Sequence, residues 1–194
     1  MAKLEIIVAS TRPGRIGPVI GSWTEKAAQE HGGFDEVELV DLAEVALPFM
    51  NEPLHPRLGR YTHQHTRDWS AKVREADAFV FVMPEYNYGY NAELKNAIDY
   101  LHEEWKYKPV DLVSYGGVSA GTRAAQMIKQ VVTTLKMTPL AEAVSIPFVQ
   151  EFIREGELAP NEVMTSAAGA MLDELVRVAA ALRPLRTAEA EPLP

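Results

Sequence analysis

Ala78-Phe79-Val80-Phe81-Val82-Met83-Pro84-Glu85-Tyr86-Asn87-Tyr88-Gly89 is the stretch on which the fold turns. Its apolar half reads as a buried strand. Its second half is a loop of amides, aromatic rings and a glycine, placed at the carboxyl end of that strand, where open α/β sheets hold their ligands. Two further apolar runs end in the same way. Ile6-Ile7-Val8-Ala9 enters Ser10-Thr11-Arg12-Pro13-Gly14-Arg15-Ile16-Gly17, and Asp111-Leu112-Val113-Ser114-Tyr115 enters Gly116-Gly117-Val118-Ser119-Ala120-Gly121. Three polar, glycine-bearing loops at three strand ends imply one shared cleft.

Outward from this frame, strands at 4–9, 36–40, 77–83, 110–115 and about 143–146 alternate with helices at about 16–30, 66–75, 91–102, 121–135 and 161–182. Gly32-Gly33 stops the first helix. Such alternation predicts a parallel sheet covered on both faces, and five strands fit a doubly wound three-layer sandwich. Residues 41–66, with Pro48, Pro53 and Pro56, form a long, mostly irregular connection of a kind that often serves function. One domain over 1–186 is expected, followed by a mobile tail, 187–194, too poor in apolar residues to order itself.

Of 194 residues, 47% are hydrophobic, enough for one packed core and too few residues for two domains. A net charge of -8 argues against a nucleic-acid surface, so an anionic ligand must be met by local arginines and amides. The absence of cysteine removes disulfides, thiolate metal sites and thiol nucleophiles, and leaves redox chemistry to a bound cofactor. The start of the chain enters a strand with no signal-like segment, and no apolar run nears the roughly 20 residues of a spanning helix. A cytoplasmic protein that does not enter membranes is expected.

The first loop has the outline of a phosphate site. Ser10 and Thr11 offer hydroxyls, Arg12 and Arg15 can clamp oxygens, and the helix beginning at Ile16 adds free amides and its dipole. It carries neither Gly-x-Gly-x-x-Gly nor Gly-x-x-x-x-Gly-Lys-Ser/Thr, so a monophosphate fits better than a pyrophosphate or a triphosphate. A turn with solvated arginines is the alternative. The second loop can form a slot for a flat heteroaromatic ring, with Tyr86 and Tyr88 as walls, Asn87 as a hydrogen-bonding group, and Pro84 and Gly89 at its ends. A tight turn covered by the tyrosines is the competing reading. Gly116 and Gly117 permit close approach of main chain to a ligand, or simply a tight turn before a helix.

Pro84-Glu85-Tyr86-Asn87 followed by Leu94-Lys95-Asn96-Ala97-Ile98-Asp99 resembles the NADPH-dependent FMN reductases of the flavodoxin-like superfamily. Ser10-Thr11-Arg12 with Arg15 is similar to that family's phosphate loop, and Tyr115-Gly116-Gly117 with Gly121-Thr122-Arg123-Ala124 to its third loop. Ala9 stands where the family usually has glycine, and Gly17-Pro18 stands near a usual serine. The resemblance implies a flavodoxin-like three-layer sandwich with strand order 2-1-3-4-5. It implies FMN as cofactor, its phosphate at Ser10, Thr11, Arg12, Arg15, Ile16, Gly17 and Pro18. Its ring would lie at Pro84, Glu85, Tyr86, Asn87, Tyr88, Gly89, Tyr115, Gly116 and Gly117. NADPH, with NADH as the alternative, would give hydride to FMN and thence to a small acceptor: a flavin, quinone, azo compound or metal oxyanion. No side chain is assigned as an acid or base. A homodimer or homotetramer is implied, with the Leu47–Pro53 segment, the helix from Asn91 and exposed Trp105 and Tyr107 as candidate contacts.

Two rival functions follow from the residues. Gly117-Val118-Ser119-Ala120-Gly121 matches a nucleophile elbow, but His31, His55, His63, His65 and His102 all precede Ser119, the wrong chain order for a serine hydrolase. A non-enzymatic electron carrier would call for a first loop richer in hydroxyls. His63 and His65 lack a clear third metal ligand and read as solvated, so no metal is expected.

Overall fold

The computed structural model describes residues 2–188. Five strands, β1 (Lys3–Val8), β2 (Glu36–Asp41), β3 (Ala78–Pro84), β4 (Pro109–Tyr115) and β5 (Thr138–Ile146), form one parallel sheet in the order β2-β1-β3-β4-β5. This is the flavodoxin-like order, and it reverses direction between β1 and β3. Ile6 lies between Leu39 and Val80, so the register brings the ends of β1 and β3 level.

The helices are α1 (Gly17–His31), α2 (Leu42–Val45), α3 (Gln64–Glu75), α4 (Ala92–Asp99), α5 (Thr122–Thr134) and α6 (Glu162–Ala188). Alternation along β3 sorts the core into two halves. Phe79, Phe81 and Met83 pack with Trp69 of α3, Ile98 of α4 and Ile128 of α5. Val80 and Val82 pack with Ile20 of α1 and Leu172 and Leu175 of α6. Every residue of β3 and β4 is buried, which is why these strands read as continuous apolar runs.

Several expectations change. Trp105 is fully buried rather than exposed. After α4 ends at Asp99, a short 3-10 turn (Glu103–Trp105) folds the indole onto Phe79, with ring centroids 5.1 Å apart, and Trp105 Nε1 donates to the Ile98 carbonyl at 3.1 Å. Strand β5 is nine residues long and includes Pro139, tolerated because β5 is an edge strand. Helix α6 continues past Leu182 to Ala188; the rest of the expected mobile tail, 189–194, lies outside the described residues. The long connection is tied down by carboxylates. Glu52 accepts from the amides of Thr62 (2.8 Å) and His63 (3.0 Å), and buried Glu104 accepts from Tyr61 Oη (2.9 Å) and Ser70 Oγ (2.6 Å).

Candidate active site

The ends of β1, β3, β4 and β5 surround a cavity of about 400 Å³. Its cationic end is built from the first loop. Ser10 is buried, and its Oγ lies 2.8 Å from Tyr86 Oη. Arg12 and Arg15 line the same end, beside the start of α1, whose first turn carries no acidic side chain. Arg15 pairs with Asp41 at the end of β2, and Asp41 Oδ1 also accepts from Ala43 N at 2.9 Å, capping α2. The guanidinium is thus held in place by the neighbouring strand.

Two buried polar atoms at this end have no hydrogen-bond partner among the described residues: Arg15 Nε and Tyr115 Oη. Burial also pushes the Tyr115 phenol well above its ordinary value, so it stays protonated as a donor. Gly17 makes room for it: a Cβ there would lie 3.0 Å from Tyr115 Oη and 3.0 Å from Val8. Unmet donors in a buried site are costly unless something accepts from them. An anionic group would offer both donors an acceptor.

The opposite end is made of the second and third loops. Tyr86 and Gly89 exchange both backbone hydrogen bonds, 2.8 and 3.0 Å, closing a two-residue hairpin over Asn87 (φ 49°) and Tyr88 (φ 73°). Asn tolerates the left-handed region; Tyr88 does so beneath Arg123, whose guanidinium carbon sits 3.7 Å from the ring centroid. Glu85 ties this hairpin to the third loop. Its carboxylate accepts from Ser119 Oγ (2.9 Å), Arg123 Nε (2.6 Å) and Arg123 N (3.2 Å). Burial works to raise the Glu85 pKa, but these donors outweigh it and hold the carboxyl below its ordinary value.

Of the residues that the sequence points to, Ser10, Arg12, Arg15, Ile16, Pro84, Glu85, Tyr86, Tyr115, Gly116 and Gly117 line the cavity. The others lie around it. Thr11 faces a neighbouring cleft and donates to Glu93 at 3.1 Å. Gly17 packs behind Tyr115, and Pro18 borders a separate groove of about 890 Å³ between α1, α6 and the short hairpin of β6 (Ile153–Arg154) and β7 (Glu157–Leu158). That groove is larger but has no arginine in its lining, and the one buried side-chain atom there without a partner among the described residues is His31 Nδ1. Asn87, Tyr88 and Gly89 form the hairpin tip outside the lining. Both Tyr86 and Tyr115, read as ring-loop residues, direct their hydroxyls toward the first loop.

Sequence reasoning missed the fourth wall, Phe148 to Glu151, contributed by the turn after β5. Applying the strand-end argument to β5 as well would have found it. It also missed Asn91, whose buried Nδ2 donates to the Ala9 carbonyl at 2.7 Å and fixes the base of the first loop to α4. The serine-hydrolase reading finds no support in the geometry. Ser119 donates to Glu85 rather than to an imidazole, and the stacked rings of His63 and His65, 5.1 Å apart, each engage Asn51.

A parallel sheet in this order, with two arginines and two unmet buried donors at its switch point, defines a doubly wound protein built to hold an anionic ligand there. Residues 2–151 match the NADPH-dependent FMN reductase family. A Schizosaccharomyces pombe protein named NAD(P)H-dependent FMN reductase is 40% identical over 171 residues, covering 86% of this chain and 84% of that protein. A Staphylococcus saprophyticus FMN-dependent NADPH-azoreductase is 30% identical over 131 residues, 67% of this chain and 69% of that one. In fold, the chain is similar to the flavoenzyme NAD(P)H:(acceptor) oxidoreductase FerB of Paracoccus denitrificans, with a TM-score of 0.74 at 19% identity over 93% of this chain and 98% of that chain. The chain belongs to the NADPH-dependent FMN reductase family, oxidoreductases that use FMN and NAD(P)H.

Proposed function

We propose that this protein is an FMN-dependent reductase that takes hydride from NADPH, or less readily NADH, and passes the electrons to a small organic acceptor. The observation that carries this reading is the pair of buried, unmet donors, Tyr115 Oη and Arg15 Nε, at the cationic end of a cavity on the sheet's switch point. Ser10, Arg12, Arg15 and Tyr115 would hold the phosphate of FMN, with Thr11, Ile16, Gly17 and Pro18 supporting that loop. Pro84, Glu85, Tyr86, Gly116 and Gly117 would border its ring, and Asn87, Tyr88 and Gly89 would keep the second loop in its hairpin.

FMN, when bound, supplies two-electron chemistry between nicotinamide and acceptor. The chain supplies position and polarity. The Gly116 N–H is taken by the Ile146 carbonyl (3.3 Å), whereas the Gly117 N–H has no backbone acceptor among the described residues and would serve as the donor to the polar edge of a ring. Arg123 neutralises Glu85, so no free carboxylate stands on that wall to oppose negative charge on a reduced ring.

The proposal extends to a cytoplasmic homodimer. Among the described residues no helix is long and apolar enough to cross a membrane. Phe49, Leu54 and Leu58 expose apolar surface close to α4, where Asn96 Nδ2 holds the Pro48 carbonyl at 2.8 Å. A visible absorption spectrum before and after anaerobic NADPH, with NADH for comparison, tests the central reading. Flavin bands that bleach are expected; a protein that neither binds added FMN nor oxidises NADPH overturns it.

A further inference from the structure

Phe148 is the residue whose conformation asks for an explanation. It follows β5 with φ 43° and ψ 46°, the left-handed region that a bulky aromatic side chain rarely enters. Strain of this kind persists where the surroundings enforce it, and it clusters at functional sites. Here the enforcement is visible. The Phe148 amide donates to the Gly117 carbonyl (3.1 Å), Val149 N to the Gly116 carbonyl (3.2 Å), and Glu151 N back to the Phe148 carbonyl (2.8 Å). The backbone is pinned to the third loop at the strained residue and at the one after it, yet the side chain is left half exposed. It is 51% exposed and stands on the rim of the cavity.

The same rim carries Glu151, which is exposed and forms no ion pair among the described residues. The cavity is therefore polarised. Arg12 and Arg15 make one end attractive to anions, and Phe148 with Glu151 makes the rim apolar and repellent to them.

Resting on the FMN-reductase reading above, we propose that Phe148 is a specificity-determining residue, an aromatic platform on which uncharged planar acceptors such as quinones stack, with Glu151 disfavouring anionic acceptors. The overall reaction balances as NADPH plus quinone plus one proton from solvent giving NADP⁺ and hydroquinone. For ferricyanide, two ions each take one electron, and a proton is released. A flat ring gains stacking on Phe148 and suffers no repulsion from Glu151. A trianion gains no stacking and meets the carboxylate.

The test compares kcat/KM for 1,4-naphthoquinone and for ferricyanide, at fixed low salt, in the FMN-loaded wild type and in Phe148→Asn, Phe148→Trp and Glu151→Gln. Asn tolerates positive φ, so Phe148→Asn removes the ring without altering the turn. Its thermal midpoint should not fall. The quinone-to-ferricyanide ratio should drop about tenfold through KM for the quinone, and Phe148→Trp should restore it. Glu151→Gln should raise ferricyanide turnover several-fold and leave KM for the quinone in place. An unchanged ratio in Phe148→Asn overturns the proposal, as does a rise in KM for NADPH with both acceptors, which would place the nicotinamide on the ring instead. A wild type without flavin bands or NADPH oxidation would sink the preceding reading before any variant is made, so the two failures are distinguishable.

Discussion

Gly121 and Tyr115 show how single atoms set this site. Gly121 has φ 80°, and a Cβ there would come 2.8 Å from both Ser114 Cβ and the Tyr115 amide nitrogen. No flexible side chain can yield to it, because one neighbour is backbone. Gly121→Ala combines a left-handed alanine with overpacking and should cost about 2–5 kcal/mol in urea unfolding. A loss below 1 kcal/mol, within the ordinary range for a surface change, would show that the β4-to-α5 turn can relax. Tyr115 makes a sharper case because its hydroxyl is buried without a partner. In the cofactor-free protein, Tyr115→Phe should therefore stabilise the fold by about 1–3 kcal/mol, the penalty of an unmet buried group. FMN binding should weaken by about tenfold to a hundredfold, the worth of one hydrogen bond to a charged phosphate. Opposite signs in unfolding and in cofactor titration are the signature of an atom kept for a ligand; equal signs would make it part of the packing.

Among the elements, Glu85 is the joint between the β3 hairpin and the β4 loop, since one buried carboxylate holds Ser119 and Arg123 together. Glu85→Gln weakens charge-assisted bonds that are roughly twice as strong as neutral ones. FMN dissociation measured by flavin fluorescence should quicken about tenfold. Ser119→Ala removes only one donor and should leave NADPH oxidation largely intact; its loss at full flavin occupancy would give the serine a role of its own. How well each element could be read from sequence follows from the same physics. Strands β1, β3 and β4 are buried on both faces, so their apolar runs announced them and the loops at their ends. Strand β5 is an edge strand with alternating exposure and a proline, so only its last four residues were legible and the wall after it was not. Trp105 was misplaced because burial of an indole between Phe79 and Trp69 depends on the chain folding back after α4, which no local pattern encodes. Asp41 escaped notice because its partner Arg15 is 26 residues away and only the adjacency of β1 and β2 joins them.

Across the whole molecule, the sheet carries two fully buried carboxyl groups, Glu5 on β1 and Asp111 on β4, and they set a pH dependence of stability. Burial first, and the charge of Glu38 second, push Glu5 from 4.5 up to about 8; Lys108, Lys3 and Lys72 pull the other way without cancelling this. Burial pushes Asp111 from 3.8 up to about 7 against the hydrogen bond from Leu112 N. The folded chain keeps protons here that the unfolded chain has already released. Stability must therefore fall as pH rises from about 4 to about 8, and these two groups add no further slope above that. Lys108, pushed by burial from 10.5 down to about 8, acts in the next window. There the unfolded chain binds the extra proton, and stability rises with pH between about 8 and 10.5. Glu5→Gln removes the largest carboxyl contribution while keeping the side chain's size. Its advantage over the wild type in urea unfolding should grow by about 2 kcal/mol or more between pH 5 and pH 8, since one pKa unit is worth about 1.4 kcal/mol. Above pH 8 the advantage should level off. An advantage that stays constant over that range would mean that Glu5 is ionised throughout in the folded state. The ammonium of Lys108 would then be answering its charge, and the proton that the folded sheet holds would belong to Asp111 alone.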